Sequence, residues 1–555
     1  MSAIVLSGES NGTAWLAAGK TLLDQAGEQV RAVLKKLAEL STKDGSIDTD
    51  LMDNYQVEAY RLGMVYSQWQ AAEVMVEYAE LGELERTMAI GYIGTTIQAI
   101  REQLSYCALR LDSFTAECQQ FLTDKITSQF IAETAGSEYA GKVLELIDRF
   151  QSDGSWNLGE DHTLMLETFR DFAEKEVKPL AEEIHRKDLL IPEKIIKMVK
   201  ELDCFGLSIP AEYGGFQDEE DNLGIVVVTE ALSRGAVIVG SLITRPEILS
   251  KALLKGGTEA QKKKWLPKLA SGEKLCAVAV TEPNVGSDVA GVSVTARQTQ
   301  GGWLINGVKT WCTFAGKADL LMVLARSEED PKLKHKGLSL FIAEKPSFNG
   351  HDFEYTQPQG GHISGRAIAT IGYRGMHSYE VNFENYFVPE DQQIGGQEGR
   401  GKGFYMQMAG FSGGRLQTAA RALGVMQAAY EAGKQYAKDR KVFGKSLIDY
   451  RISQAKVAQM AMSIQACRQL TYKAARLMNE KKGQMEASMV KLLSCRQAEY
   501  VTREALQLHG GMGYAEEYAV SRYFQDARVL SIFEGAEEIL ALRVVMPALL
   551  REIAG

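Results

Sequence analysis

Apolar residues in positions 1–158 recur at three- and four-residue spacing, as at Leu81, Leu84, Met88 and Tyr92. That repeat belongs to helices with one buried face. No proline interrupts the segment, so the pattern predicts long helices over 15–40, 50–81, 84–111 and 114–130, an antiparallel bundle. The turn-rich run QSDGSWNLGE at 151–160 reads as a linker. Helical spacing resumes from His162 to about Gly272, with turns at Ile209–Phe216 and at Gly256-Gly257. The texture then changes to short, branched or alternating runs: 275–280, 292–296, 320–325, 338–343 and 379–383. In WLINGVKTW (303–311), Asn306-Gly307 between two such runs predicts a hairpin turn, since both turn positions favour positive φ. Helices return beyond Gly399. There Leu416, Ala419, Leu423, Met426 and Tyr430 mark one face.

The expected fold is mainly α with a central β domain. Its parts are an N-terminal helical extension (1–158), a helical lobe (159–273), a barrel-like β lobe (274–392) and a C-terminal helical domain built on a four-helix bundle (393–555).

Composition narrows the function without naming it. The 555 residues are 45% hydrophobic and 24% charged, with a formal net charge of −10. Those are globular values, and the acidic balance argues against non-specific nucleic-acid binding. Seven scattered cysteines with no Cys-x-x-Cys pair form no disulfide framework. Seven histidines without ligand spacing give no expected metal site. No apolar run approaches the roughly 20 residues that cross a bilayer. A cytoplasmic protein without membrane attachment is expected.

Three segments carry candidate chemistry. TEPNVGSD (281–288) leaves a predicted strand and offers backbone amides and hydroxyls to a polar ligand, or is only a strand exit. Trp311 and Thr313, two apart on a strand, share a face, either as a half-buried edge pair or as a wall for a planar ring. QLHGGMGY (507–514) permits close backbone approach. SIFEGA (531–536) sets Glu534 between Phe533 and Gly535, as a surface carboxylate or as a base.

Taken with GTEAQKKKWLPKLASGE (257–273), GYRGMHS (372–378) and RKVFGK (440–445), these segments resemble the acyl-CoA dehydrogenase family in order and spacing from about residue 160 to the end. The resemblance implies an FAD enzyme that introduces a trans double bond between the α and β carbons of an acyl-CoA. It makes Glu534 the catalytic base. Val280, Thr281, Trp311 and Thr313 line the flavin, and Ser287 the thioester. Arg440, Phe443, Gln507, Gly510 and Gly511 hold the FAD pyrophosphate and adenosine, partly across a subunit boundary, and Arg415 falls on the CoA side. It also implies an electron-transferring flavoprotein as acceptor and a homo-oligomer, here a dimer whose further pairing the N-terminal bundle would block. Arg451, Gln525 and Ala536 depart from the family pattern around FAD. Some members carry the base just before the arginine matching Arg415, but Gly414 stands there, which leaves Glu534.

The N-terminal bundle combined with GSLITRPEILSKALLKGG (240–257) resembles family members that act on a short, branched acyl group ending in a carboxylate; that resemblance implies a cation at the blind end of the pocket, with Arg245 as this anchor or as a surface or intersubunit arginine beside Pro246. Another short or branched acyl-CoA is the alternative. Flavin oxidases and monooxygenases of the same fold lack the glutamate seen at Glu534. A catalytically silent, FAD-bearing or DNA-binding relative fits poorly with an acidic chain whose base is intact.

Overall fold

A computed structural model describes residues 12–217 and 219–554. The chain divides into two compact bodies. One contains residues 1–160, 425–477 and 482–555, the other 161–424 and 478–481.

In the first body, α1 (Gly12–Leu40), α2 (Gln56–Tyr78) and α3 (Glu83–Arg110) pack side by side. Glycines set the closest approaches. A Cβ at Gly27 would stand 2.6 Å from the Trp69 indole, whose Nε1–H donates to Leu23 O at 3.2 Å. The helix expected over 114–130 is instead two, α4 (Ala116–Thr123) and α5 (Lys125–Thr134), because Asp124 leaves the helical region and caps α5 through Thr127 N. Next comes α6 (Ser137–Phe150).

The C-terminal helices of this body are the end of α14 (Gly403–Asp439), then α15 (Arg451–Asn479), α16 (Gln484–His509), α17 (Ala519–Leu530) and α18 (Met546–Ala554). The N-terminal helices pack directly on them: α1 on α18, and α2 on α16 and on the π-turn Leu540–Val545. Arg543 grips Asp53 through both Nη atoms at 2.7 and 2.6 Å. The 151–160 run is anchored rather than loose. Asp153 accepts from Tyr430 OH at 2.8 Å, and Arg468 lies over the Trp156 ring at 3.8 Å.

The second body begins with the helices α7 (Glu160–Phe172), α8 (Lys178–Arg186), α9 (Glu193–Glu201), α10 (Asn222–Gly235), α11 (Val237–Leu242), α12 (Arg245–Gly256) and α13 (Glu259–Ala270). Its sheet comprises β1 (Cys276–Ala279), β2 (Thr295–Thr299), β3 (Gly302–Thr313), β4 (Leu320–Arg326), β5 (Leu338–Glu344), β6 (Asp352–Thr356), β7 (His362–Ala367) and β8 (Ser378–Pro389). The order is β1-β4-β2-β3-β8-β7-β6, with β5 on β4. Apolar side chains of β4 and β5 (Leu320, Met322, Leu324, Leu338, Leu340, Ile342) meet Ile248 and Leu249 of α12 and Trp265, Leu266 and Leu269 of α13. Each such side chain contributes about 1.5–3 kcal/mol by leaving water.

Two strand expectations are corrected. The run 292–296 becomes strand only from Thr295. Asn306-Gly307 is no turn: β3 runs through it, with Gly307 paired to Phe383 of β8, and the chain reverses instead at Gln300-Gly301. Asn306 Oδ1 accepts from Asn385 N at 2.8 Å, beside a register shift in β8. Gly307 is required because a Cβ there would lie 2.9 Å from Val294 Cγ2.

Candidate active site

On the second body, β1 delivers the chain to Val280 and Thr281. Thr310 N–H of β3 donates to Thr281 O at 2.8 Å. Lys309, wholly buried, reaches across with its ammonium to Val280 O and Glu282 Oε1, both at 2.8 Å. The Glu282 carboxylate also accepts from Ser293 N, Ser293 Oγ and Val294 N at 2.8, 2.6 and 2.9 Å. Burial pushes the Lys309 ammonium down to about 8. Burial pushes Glu282 up, but the Lys309 charge and these hydrogen bonds outweigh it and hold the carboxyl below its ordinary range. Sequence reading passed over both residues, although alternation along β3 places Lys309 on the buried side, where a cation needs a partner.

Beyond Lys309 the strand ends on Trp311, at φ +55 and 55% exposed, and on half-buried Thr313, whose Oγ1 lies 2.9 Å from Ser378 Oγ. Ser287 is exposed on the loop after Thr281, and Val280 is buried beneath it. An exposed indole, two hydroxyls and a locked strand exit suit the edge and face of an isoalloxazine ring.

Arg245 opens α12 and is 8% exposed. Its Nε donates to Ser241 O at 3.3 Å, and its own carbonyl accepts from Cys276 Sγ of β1 at 3.0 Å. Among the described residues, no carboxylate pairs with its guanidinium. Arg415, also buried, stands on α14 two residues past Gly413, where the absence of a side chain leaves room for the Glu247 carboxylate of α12.

On the first body, Glu534 is half-buried at φ +54, followed by Gly535 at φ +98. Lys491 Nζ of α16 donates to Gly535 O at 2.6 Å, and Glu537 N closes the turn onto Ser531 O at 3.1 Å. The other predicted residues of this body gather elsewhere. Tyr436 of α14 stacks on His509 of α16 at 4.1 Å. That contact brings Arg440 and the Phe443-Gly444 hairpin tip near Gln507, Gly510 and Gly511. Arg440, Phe443, Gln507 and both glycines are exposed, and a Cβ on either glycine would meet nothing. This is an open backbone cradle of the kind a pyrophosphate needs. Along α16, Lys491 and Gln507 lie about 24 Å apart at 1.5 Å per residue, and Ser531 of the Glu534 turn donates to Glu499, midway along the same helix.

Folding also joins residues that looked scattered. Ligand atoms of Asp188, His351 and His377 lie within 4.8 Å of one another. The Arg374 guanidinium stands 3.6 Å from the same Asp188 carboxylate, and His377 Nε2 is 3.1 Å from it. Asp188 thus accepts from His377 and pairs with Arg374. No described helix is long and apolar enough to cross a membrane.

Models of the N-terminal, middle and C-terminal domains of acyl-CoA dehydrogenases match residues 159–273, 277–386 and 401–549. The chain is 45% identical over 392 residues to a (2S)-methylsuccinyl-CoA dehydrogenase of Cereibacter sphaeroides, a match covering 70% of this chain and 69% of that one. The butyryl-CoA dehydrogenase structure of Megasphaera elsdenii is similar with TM-score 0.65 and 32% identity, over 71% of this chain and 99% of the other. A glutaryl-coenzyme A dehydrogenase solved with glutaryl-CoA also gives 0.65, at 30% identity over 71% and 96%. Because all three domain models match in chain order and the 45% identical relative is covered over more than two thirds of its length, the chain belongs to the acyl-CoA dehydrogenase family and is an FAD-dependent oxidoreductase acting on CH–CH bonds.

Proposed function

We propose that this enzyme oxidises a short, branched acyl-CoA ending in a free carboxylate, (2S)-methylsuccinyl-CoA, to mesaconyl-CoA (2-methylfumaryl-CoA), a step of the ethylmalonyl-CoA pathway in the cytoplasm. The observation that carries the reading is Arg245, a buried cation with no carboxylate partner among the described residues. An unpaired buried charge costs several kcal/mol, and a substrate carboxylate would relieve that cost. Arginine suits the role because its planar fork matches both oxygens. The relative at 45% identity bears a name consistent with this chemistry.

FAD, when bound, supplies the acceptor for the β hydride. Everything else falls to the chain. Glu534 takes the α proton, and its backbone N–H donates to the thioester carbonyl, where a fixed donor stabilises developing negative charge. Thr313, oriented by Ser378, presents its hydroxyl to the flavin edge. Trp311 walls the ring and Ser287 lines the thioester. Arg415 takes the CoA side, and Arg440, Phe443, Gln507, Gly510 and Gly511 take the pyrophosphate and adenosine. The exposure of Arg440, Phe443, Gln507, Gly510 and Gly511 supports their use across a subunit boundary, hence a homodimer. An electron-transferring flavoprotein is the acceptor of the reducing equivalents.

The test is anaerobic titration of the holoenzyme with a panel of CoA thioesters. Methylsuccinyl-CoA is expected to bleach the flavin fastest and most completely. Preferential bleaching by butyryl- or isovaleryl-CoA would overturn the substrate, and light scattering of a stable, FAD-replete monomer would overturn the dimer.

A further inference from the structure

Thr281 is held by its neighbours rather than by its own side chain. Its carbonyl takes the Thr310 N–H, and the carbonyl before it takes one Lys309 proton. The carboxylate after it takes another, while Glu282 N and O exchange hydrogen bonds with Val285 at 2.9 and 3.0 Å. Thr281 is half-exposed, and its hydroxyl has no partner of its own among the described residues. Lys309 also sits on β3, two residues before Trp311 and four before Thr313. One buried ion pair therefore ties the exit of β1 to the strand that carries the indole and the second hydroxyl.

We infer that Lys309 and Glu282 are positioning residues: the pair fixes Thr281 relative to Trp311 and Thr313, so that a single rigid surface meets the flavin. The inference rests on the reading that those three side chains face the flavin. Both side chains are buried, so their effect passes through the backbone at 280–282 and through β3. Donors already in place need no reorganisation when a ligand arrives. A partly satisfied buried network loses that fixity, because each remaining group seeks a new partner. Both charges are needed: Glu282 collects Ser293 and Val294 from the loop leading into β2, and Lys309 collects Val280 from β1.

The experiment compares holoenzymes carrying Glu282→Gln, Lys309→Met, Ser293→Ala and Trp311→Phe. It reads the visible circular dichroism of the bound flavin, the FAD dissociation constant and the thermal midpoint. Glu282→Gln and Lys309→Met are expected to weaken FAD binding about ten-fold or more, the equivalent of losing one charge-assisted hydrogen bond, and to shift the flavin dichroism. Ser293→Ala, which deletes one hydrogen bond to Glu282, is expected to shift the dichroism the same way but less. It keeps the test decisive if a charge-removing variant does not fold. Lower thermal midpoints with unchanged dichroism and FAD affinity, while Trp311→Phe does shift the dichroism, would overturn the inference and leave the pair a fold staple. Dichroism untouched even by Trp311→Phe would overturn its premise, that this face meets the flavin.

Discussion

Around Thr281 the backbone is bound on every side, by β3, by an ion pair and by the loop entering β2. Around Glu534 it is bound through the neighbouring residues, by Phe533 N–H to Val529 O at 3.1 Å, the Lys491 contact to Gly535 and the closure of Glu537 onto Ser531. The two segments also differ in strain. Thr281 keeps an ordinary backbone, whereas Glu534 is a non-glycine residue at φ +54, a conformation costing about 1–2 kcal/mol. The contrast matches the proposed tasks. A surface that receives hydride gains from rigidity, because donor and acceptor must meet at a fixed distance. A base must aim both its carboxylate and its amide at one substrate, and a left-handed turn aims the two together.

Removing the base gives the largest expected effect. Glu534→Gln should retain FAD and product-like CoA esters yet lose turnover by about 10²–10⁴; near-normal steady-state rates would show that the turn carries no chemistry. Next comes the acyl end. Arg245→Met should lower kcat/KM for methylsuccinyl-CoA by roughly ten- to a few hundred-fold, with little loss for butyryl-CoA. Equal losses on both would make Arg245 structural and send the search to Arg234 or Arg374.

Loosening the turn without touching the base should matter less. Lys491→Met frees the Gly535 carbonyl and is expected to cut kcat about ten-fold while leaving KM and FAD content nearly unchanged; loss of FAD instead would assign Lys491 to the general fold. Gly535→Ala meets both a φ of +98 and the Leu540 Cδ2 at 2.8 Å, so thermal or urea unfolding should show roughly 1–2 kcal/mol of lost stability.

The smallest effect concerns the platform body. Burial holds the His377 imidazole below its ordinary 6.5, although Asp188 pulls the other way. Between the folded value and 6.5 the unfolded chain takes up a proton that the folded chain refuses, so acidification through that window costs stability. His377→Asn should flatten this part of the stability–pH curve.

Helices were the most legible part of the chain, because an apolar stripe repeats over many turns and one misread position changes little. Leu416, Ala419, Leu423, Met426 and Tyr430 fall on a single helix with all five buried. The β lobe was less legible at the scale of two residues. Asn306-Gly307 carries a strong local turn preference, yet the ladder to β8 overrides it, and the glycine serves close packing against Val294. Asp124 broke a helix that periodicity carried through, since a cap is a single-residue event. Around the site, motif residues could be read, but their supports could not. Alternation along β3 marks Lys309 as buried but does not name its partner, and Glu282, Ser378 and Lys491 act through contacts set by sheet register and helix packing, which no local pattern encodes.

The first body is sewn from the two ends of the chain, and this has a consequence for its birth on the ribosome. The helices α1 and α2 are made first, but α18, the Leu540–Val545 turn and the Asp53 partner Arg543 are made last. At ~5–20 residues per second, translation keeps those surfaces apart for on the order of tens of seconds. In that interval α1, α2 and α3 can bury apolar stripes against one another and against α4, α5 and α6, but the faces meant for the last helices stay wet. Closure of this body is therefore a late, long-range event. A chain that stops before residue 540 would leave its earliest helices without their final partners, exposing apolar surface that invites aggregation or chaperone capture.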